Sequence, residues 1–313
     1  MLRRGPRSLP LLSFYDIVVL LGFLNLYGMQ LVGFLNDPGL GWHLANGAQI
    51  LKTGILPNTD SFLASEVVRP WIADQWFADM AMAWLYAEGG WPLLSVSFFL
   101  LYFFTFFLVH YRCLRRVTQA PLVCGLVTLC VFKMSQVQFV ARPLLFGFLF
   151  FTILYSLLYR MAKGEQRWPR TLFVLPLFFI WSCIHPSFVL GIFLMGIALV
   201  GFWLDRWRGI TEHQPQLGRF VMLILGCIGA TFLNPYGLDL YHTILWLGGS
   251  DIRNIYSEWQ PLQLRSPEGI FFSIMVATII SRLIFLRHQV RSWEILSFFG
   301  FAYAALSAVR MLP

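Results

Sequence analysis

Charge is scarce in this sequence. Asp, Glu, Lys and Arg make up 12% of its 313 residues, about half the usual share in soluble domains. Acids are the rarer sign, 15 against 23 Lys and Arg. So few charges cannot clothe a water-soluble body that is 58% hydrophobic with a mean hydropathy of +0.68, so the solvent of this chain is largely lipid. Five cysteines, Cys113, Cys124, Cys130, Cys183 and Cys227, lie in or beside apolar segments without any Cys-x-x-Cys spacing. That excludes a structural zinc site and a disulfide framework. Glycine-rich phosphate loops, a Ser-x-Gly elbow and a Cys/His nucleophile pair are also missing, which leaves hydrolase chemistry no foothold. Without low-complexity tracts or an inverted internal repeat, a secondary carrier loses its usual sequence signature.

What the chain does have is apolar length. Runs suited to a roughly 30 Å hydrocarbon layer recur from Tyr15 onward, so the expectation is one polytopic all-α transmembrane bundle over residues 1–313. The first run, Tyr15 to Leu35, follows Arg3, Arg4 and Arg7. It is too long for a secretory signal and lacks a small-residue cleavage site. Hydropathy places about nine spans, near 15–35, 91–111, 121–139, 144–160, 171–184, 187–205, 220–233, 269–287 and 293–309.

The net charge of +8 does not mark a nucleic-acid binder, because the basic residues sit in short clusters between apolar runs rather than along one polar face. With the N-terminus inside, strict alternation puts 15 of the 23 Lys and Arg on cytoplasmic loops and ten of the 15 acids on external ones. The outer face is therefore the acidic one. The segment Gln75 to Ala87 is apolar nearly all round, and at about 13 residues it is expected to lie in the interface.

Residues 36–90 form the first external loop and residues 234–268 a second large one. Loops this long are commonly functional. After Asn36-Asp37-Pro38-Gly39, a short amphipathic helix starts near Trp42, with Leu44, Ala48, Leu51 and Ile55 on one face and His43, Asn46, Gln49 and Thr53 on another. Lying in the interface, it holds Asp37 and His43 near headgroup depth. Gly54, Pro57 and Asn58 turn the chain, and Trp71, Trp76 and Trp91 fit an aromatic belt. Asp37 alone reads equally well as a helix cap. Together with His43 and Asp74 it makes a cluster suited to removing a proton from a hydroxyl. Arg142 before Pro143, His185 before Pro186, the Asn234-Pro235-Tyr236-Gly237 turn, Glu258 before Trp259 and Arg310 reach the same surface on this topology. Ionisable groups at membrane depth point to function, and arginine at a span end also snorkels. A planar Arg fork facing the acids suits phosphate or diphosphate. His185 lacks a second histidine at His-x-x-x-His spacing, so a helical metal site is unsupported.

The ordered pieces DPGLGWHLANGAQILKTGILPNTDSF, PWIADQWFADMAMAWLY, ARPLLFGFLF, WSCIHPSFVLG, ATFLNPYGLDLY, SEWQP and ALSAVRMLP together resemble a family of bacterial polytopic membrane proteins that is similar to the GT-C glycosyltransferases. The resemblance runs from Asn36 to the C-terminus. It implies an inner-membrane enzyme that transfers a sugar from a polyprenyl-phosphate donor at the outer face. Asp37 stands at the position of the essential loop acid. Related sequences tend to read Asp-Pro-Asp-Leu-Trp-Trp-His, where this chain has Gly39 and Gly41, and a His-Gly where it has His185-Pro186. The lost second acid leaves a divalent cation weakly supported, with Asp74 the remaining source of a second oxygen. Further spans are expected beyond Arg310, so the resemblance suggests a fragment or a reduced member. Two other function classes stay open: a transporter or flippase of a lipid-linked or anionic solute, and a non-catalytic assembly subunit.

Overall fold

A backbone in hydrocarbon must satisfy its own N–H and C=O groups, which within one segment only a helix does. The computed structural model follows that rule: among the described residues it is 78% helical and has no strand. Those residues are 13–28, 35, 37–62, 69–118, 120–135, 138–165, 168–210, 215–250, 259–285 and 290–308. The helices are α1 (Phe14–Gly28), α2 (Leu40–Thr53), α3 (Trp76–Tyr102), α4 (Arg112–Val117), α5 (Pro121–Ser135), α6 (Leu144–Ala162), α7 (Trp168–Thr171), α8 (Val174–Ile184), α9 (Phe188–Trp207), α10 (Leu217–Thr231), α11 (Leu238–Gly249), α12 (Pro267–Phe285) and α13 (Ser292–Ser307). A π-helical stretch, Phe103–Tyr111, joins α3 to α4.

Among the described residues four helical stretches are long and apolar enough to cross a membrane: Trp76–Val117, Leu144–Ala162, Phe188–Trp207 and Pro267–Phe285. Shorter apolar helices lie at Phe14–Asn25, Pro121–Ser135, Trp168–Ile184 and Leu217–Thr231. Several of the nine expected spans thus correspond to helices shorter than a straight crossing. Proline contributes to this. His185, before Pro186, is forced to φ −162° and ψ 140° and ends α8, because proline's ring disfavours the helical conformation of the residue ahead of it.

The apolar segment Gln75–Ala87 becomes the first half of α3. The helix is interrupted at Gly89 (φ −148°, ψ 15°) and Gly90 (φ 60°, ψ −154°), a conformation open to glycine because it has no Cβ. From Trp91 onward enough residues remain to cross on their own, at roughly 1.5 Å each. The first half instead packs along α2. Gly47 is the reason the two come so close, since a Cβ there would stand 1.9 Å from the Asp79 carbonyl oxygen and 2.8 Å from the Ala83 Cβ.

Two cores flank α6. One gathers Phe23 and Tyr27 of α1, Phe98 and Tyr102 of α3, Phe106 of the π stretch, Phe132 of α5 and Leu145 of α6. The other joins Leu154 and Leu158 of α6 to Phe178 and Trp181 of α8, Met195 and Phe202 of α9, Phe220 of α10 and Trp293 of α13. The two ends of the bundle differ in their charges. At one, Asp16 is capped by the Ser13 amide (2.7 Å) and the Tyr111 hydroxyl (2.5 Å), and Asp205 accepts the Ser292 amide (2.8 Å) beside Arg208 (3.6 Å) and Arg291 (4.0 Å). The other end carries the first loop.

Gly47→Ala is expected to force α2 off α3, because the neighbour it meets is backbone and cannot rotate away. The cost should be about 1–3 kcal/mol or more, read as a lower melting temperature in detergent. Gly41→Ala, on the same helix with open space around it, should leave stability nearly unchanged.

Candidate functional site

The site is built on α2 and the chain to either side of it. Pro38 and Gly39 turn the backbone into α2, and the Asp37 carboxylate accepts the Gly39 amide (3.0 Å). At the far end Gly54, at φ 67°, closes the helix with its N–H on the Ile50 carbonyl, the left-handed cap glycine favours. The expected amphipathic helix is thus present. Its expected apolar face is split: Leu44 packs against the core of α1, α3 and α5, while Leu51 is 46% exposed and Ile55, past the Gly54 cap, 70%. Its buried side is mixed, with Leu40, His43, Asn46, Gly47 and Ile50, while Gln49 and Thr53 of the expected polar face stay exposed; to His43 and Asn46, α3 offers a carboxylate.

That carboxylate is Asp79, fully buried. Its Oδ1 lies 2.6 Å from Nδ1 of His43, and its Oδ2 accepts from Nδ2 of Asn46 at 2.5 Å. Hydrogen bonds to a charged group in a dry site are among the stronger ones, and removing one partner strands a buried charge. His43 is not an isolated loop histidine, then, but part of a buried three-residue network. Asp79 counted in the sequence only as one external acid among ten. The signal was there, as a single acid inside an apolar helical segment one turn after Trp76.

Asp37 meets Arg142, 105 residues away. Nε of Arg142 donates to Oδ2 at 2.6 Å and Nη2 to Oδ1 at 2.8 Å, the bidentate fork that matches a carboxylate. The Asp37 side chain is wholly buried, while that of Arg142 keeps 24% exposure, so the arginine is the partner within reach of a ligand. Burial works against ionisation of Asp37. The Arg142 fork, the Gly39 amide and the nearby His43 outweigh it and hold the carboxyl below its usual range. An acid so firmly ionised and paired is a weak proton acceptor and a good anchor.

Asp74 behaves in the opposite way. Burial, reinforced by the Asp79 carboxylate, pushes it up to about 6, against the pull of Gln75 and His43. Its carboxyl is thus matched to proton transfer near neutral pH.

Tyr236 closes the group from the other half of the bundle. Its hydroxyl donates to the Pro57 carbonyl (2.7 Å), and burial, the first cause, together with the Asp74 and Asp79 charges pushes it up to about 12. Asn234 shapes this turn: its Oδ1 accepts the Tyr236 amide (3.0 Å), and its Nδ2 donates to the Ser182 carbonyl of α8 (2.8 Å). His185 sits at the α8–α9 turn with Nδ1 accepting the Ser187 amide (3.0 Å). The nearby start of α6 runs close, since a Cβ on Gly147 would be 2.4 Å from the Ser187 hydroxyl.

Asp37, His43, Asp74, Arg142 and Tyr236 thus converge, while Asn234 and His185 hold the adjoining turns. Glu258 and Arg310 lie outside the described residues. Of the tryptophans assigned to a belt, Trp71 packs edge-on against Trp42 (6.0 Å), which in turn lies over the His43 ring (3.9 Å). Trp91 pairs with Tyr86 (4.7 Å). Among the described residues no three Asp, Glu, His or Cys side chains are grouped to hold a metal ion. No family model, curated protein or solved structure matches the chain.

Arg142→Gln should cost about 3–5 kcal/mol, the usual penalty for stranding a buried charge. Adding Asp37→Asn should recover part of that, and a double-mutant cycle in detergent reads the coupling. Asp74 gives a pH signature. Its folded value exceeds the ordinary 3.8, so the folded protein keeps a proton that the unfolded chain has released. Its contribution to stability is present below pH 4 and is lost as pH rises towards 6, at roughly 1.4 kcal/mol for each pH step of one across that window. Asp74→Asn should therefore gain in melting temperature relative to the parent between those pH values.

Proposed function

We propose that the protein is a membrane glycosyltransferase of GT-C type. It moves a sugar from a polyprenyl-phosphate donor to an acceptor hydroxyl at the outer face of a bacterial cytoplasmic membrane. Its N-terminus is cytoplasmic, and the short apolar helices complete about nine crossings with the four long ones. The observation that carries the reading is the pairing, at one end of the bundle, of a partly exposed Arg142 fork with a buried acid and imidazole cluster. Phosphate needs the first and a hydroxyl the second.

In this reading Arg142 receives the donor phosphate, and Asp37 keeps its guanidinium in place. Asp74 and His43 form the proton-accepting side, with Tyr236 joining the first loop to the α10–α11 turn. His185 joins Arg142 on the donor phosphate, and Asn234 holds the adjoining turn; from the sequence, Arg310 is assigned to the phosphate and Glu258 to the substrate. Trp42 and Trp71 offer apolar ring surface beside His43. The role of Asp37 becomes that of an anchor, because its lowered carboxyl and its two bonds to Arg142 disfavour taking a proton.

Purified protein in lipid nanodiscs, given a labelled polyprenyl-phosphate sugar and membrane acceptors, should transfer the label. Arg142→Ala should weaken donor binding most. Asp74→Asn should lower turnover by about 10²-fold or more. Transfer that persists undiminished in both variants would sink the assignment.

A further inference from the structure

Asp79 and Asn46 lie behind the cluster and touch neither bulk solvent nor any exposed part of the site. Both are fully buried. Asn46 Nδ2 occupies one carboxylate oxygen of Asp79 and so leaves the other, Oδ1, to accept from His43. The Asn46 Oδ1 is buried and has no hydrogen-bond partner among the described residues, so its amide is oriented by Asp79 alone. Burial pushes the Asp79 carboxyl up against the pull of His43 and Asn46; in its ionised form it accepts only, which puts the proton between it and His43 on Nδ1 of the ring. The other ring nitrogen, Nε2, makes no hydrogen bond among the described residues. Asp37 and Asp74 both lie within electrostatic reach of His43, so a positive charge that forms on the ring is met by nearby carboxyls.

We infer that Asp79, steadied by Asn46, is a positioning residue that holds the His43 proton on Nδ1 and leaves Nε2 as the atom that takes the proton of the acceptor hydroxyl. This rests on the sugar-transfer reading above. The acceptor O–H gives its proton to Nε2 as its oxygen bonds to the anomeric carbon. The bond from that carbon to the donor phosphate oxygen breaks, and its electron pair leaves with the polyprenyl phosphate against Arg142. The imidazolium formed is balanced by Asp79 on one side and by Asp74 nearby. A fixed carboxylate behind an imidazole works in this way by setting tautomer and orientation and by stabilising the ring charge.

The test reads tautomer and turnover separately. Full-length protein labelled with 15N-histidine in nanodiscs, with the His43 signals identified by loss in His43→Gln, should show Nδ1 protonated and Nε2 bare. Asp79→Asn, which keeps shape and loses charge, should move the signals toward the mixture of a free imidazole. Asn46→Ala, the milder variant, should do so in part. In the transfer assay Asp79→Asn should lower kcat by roughly 10²-fold or more with the donor KM nearly unchanged. A proton already on Nε2 in the parent, or signals unmoved by Asp79→Asn, overturns the positioning role. A shifted tautomer with undiminished kcat overturns the part played by Nε2. If the parent transfers no sugar while its tautomer is locked as described, the sugar-transfer reading and the proton step both fail, and the orientation of His43 by Asp79 stands.

Discussion

The close contact of α2 with α3 is the constraint on which the functional end of the molecule depends. It is made where Gly47 has no side chain to keep the Asp79 backbone away, and it is locked by the two hydrogen bonds that Asp79 receives. A carboxylate fully out of water is tolerable only when its partners are in place. The same interaction that holds the helices together therefore also fixes the histidine. Had α2 been free in the interface, His43 would be a solvated side chain with no set orientation.

From that contact the site extends by long-range ties. The Asp37–Arg142 fork binds the start of the first loop to the start of α6, and Tyr236 binds the middle of the loop to the turn after α10. The loop is consequently pinned to both halves of the bundle rather than lying over them. The acids in it are sorted by environment. Asp37, given a guanidinium, is held ionised, and Asp74, given mainly burial and a neighbouring carboxylate, is pushed toward neutrality. Acids with distinct titration behaviour in one cluster are what a site that both holds an anion and moves a proton requires.

Much of this was legible in the order of residues alone. Apolar runs made the chain helical and lipid-solvated. Periodicity placed a helix after Pro38-Gly39 with Leu51 on an exposed side, and proline marked the end of α8 at His185. Other features were not legible. The span count depends on which apolar stretches stay straight, and the break at Gly89-Gly90 shows an apolar run turning aside to pack on α2. The partnership of Asp37 with Arg142 spans 105 residues, and no local pattern reports a contact at that distance.

Composition and periodicity by themselves determined the solvent, the secondary structure and the segments rich in polar groups, because those follow from how each residue partitions between water, lipid and a helix face. Tertiary structure alone decided which acids do what. Asp37, Asp74 and Asp79 are the same residue type within 43 positions of one another. One faces an arginine, one a neighbouring carboxylate and one an imidazole, and the free energy of a carboxylate is set by those neighbours rather than by its place in the chain.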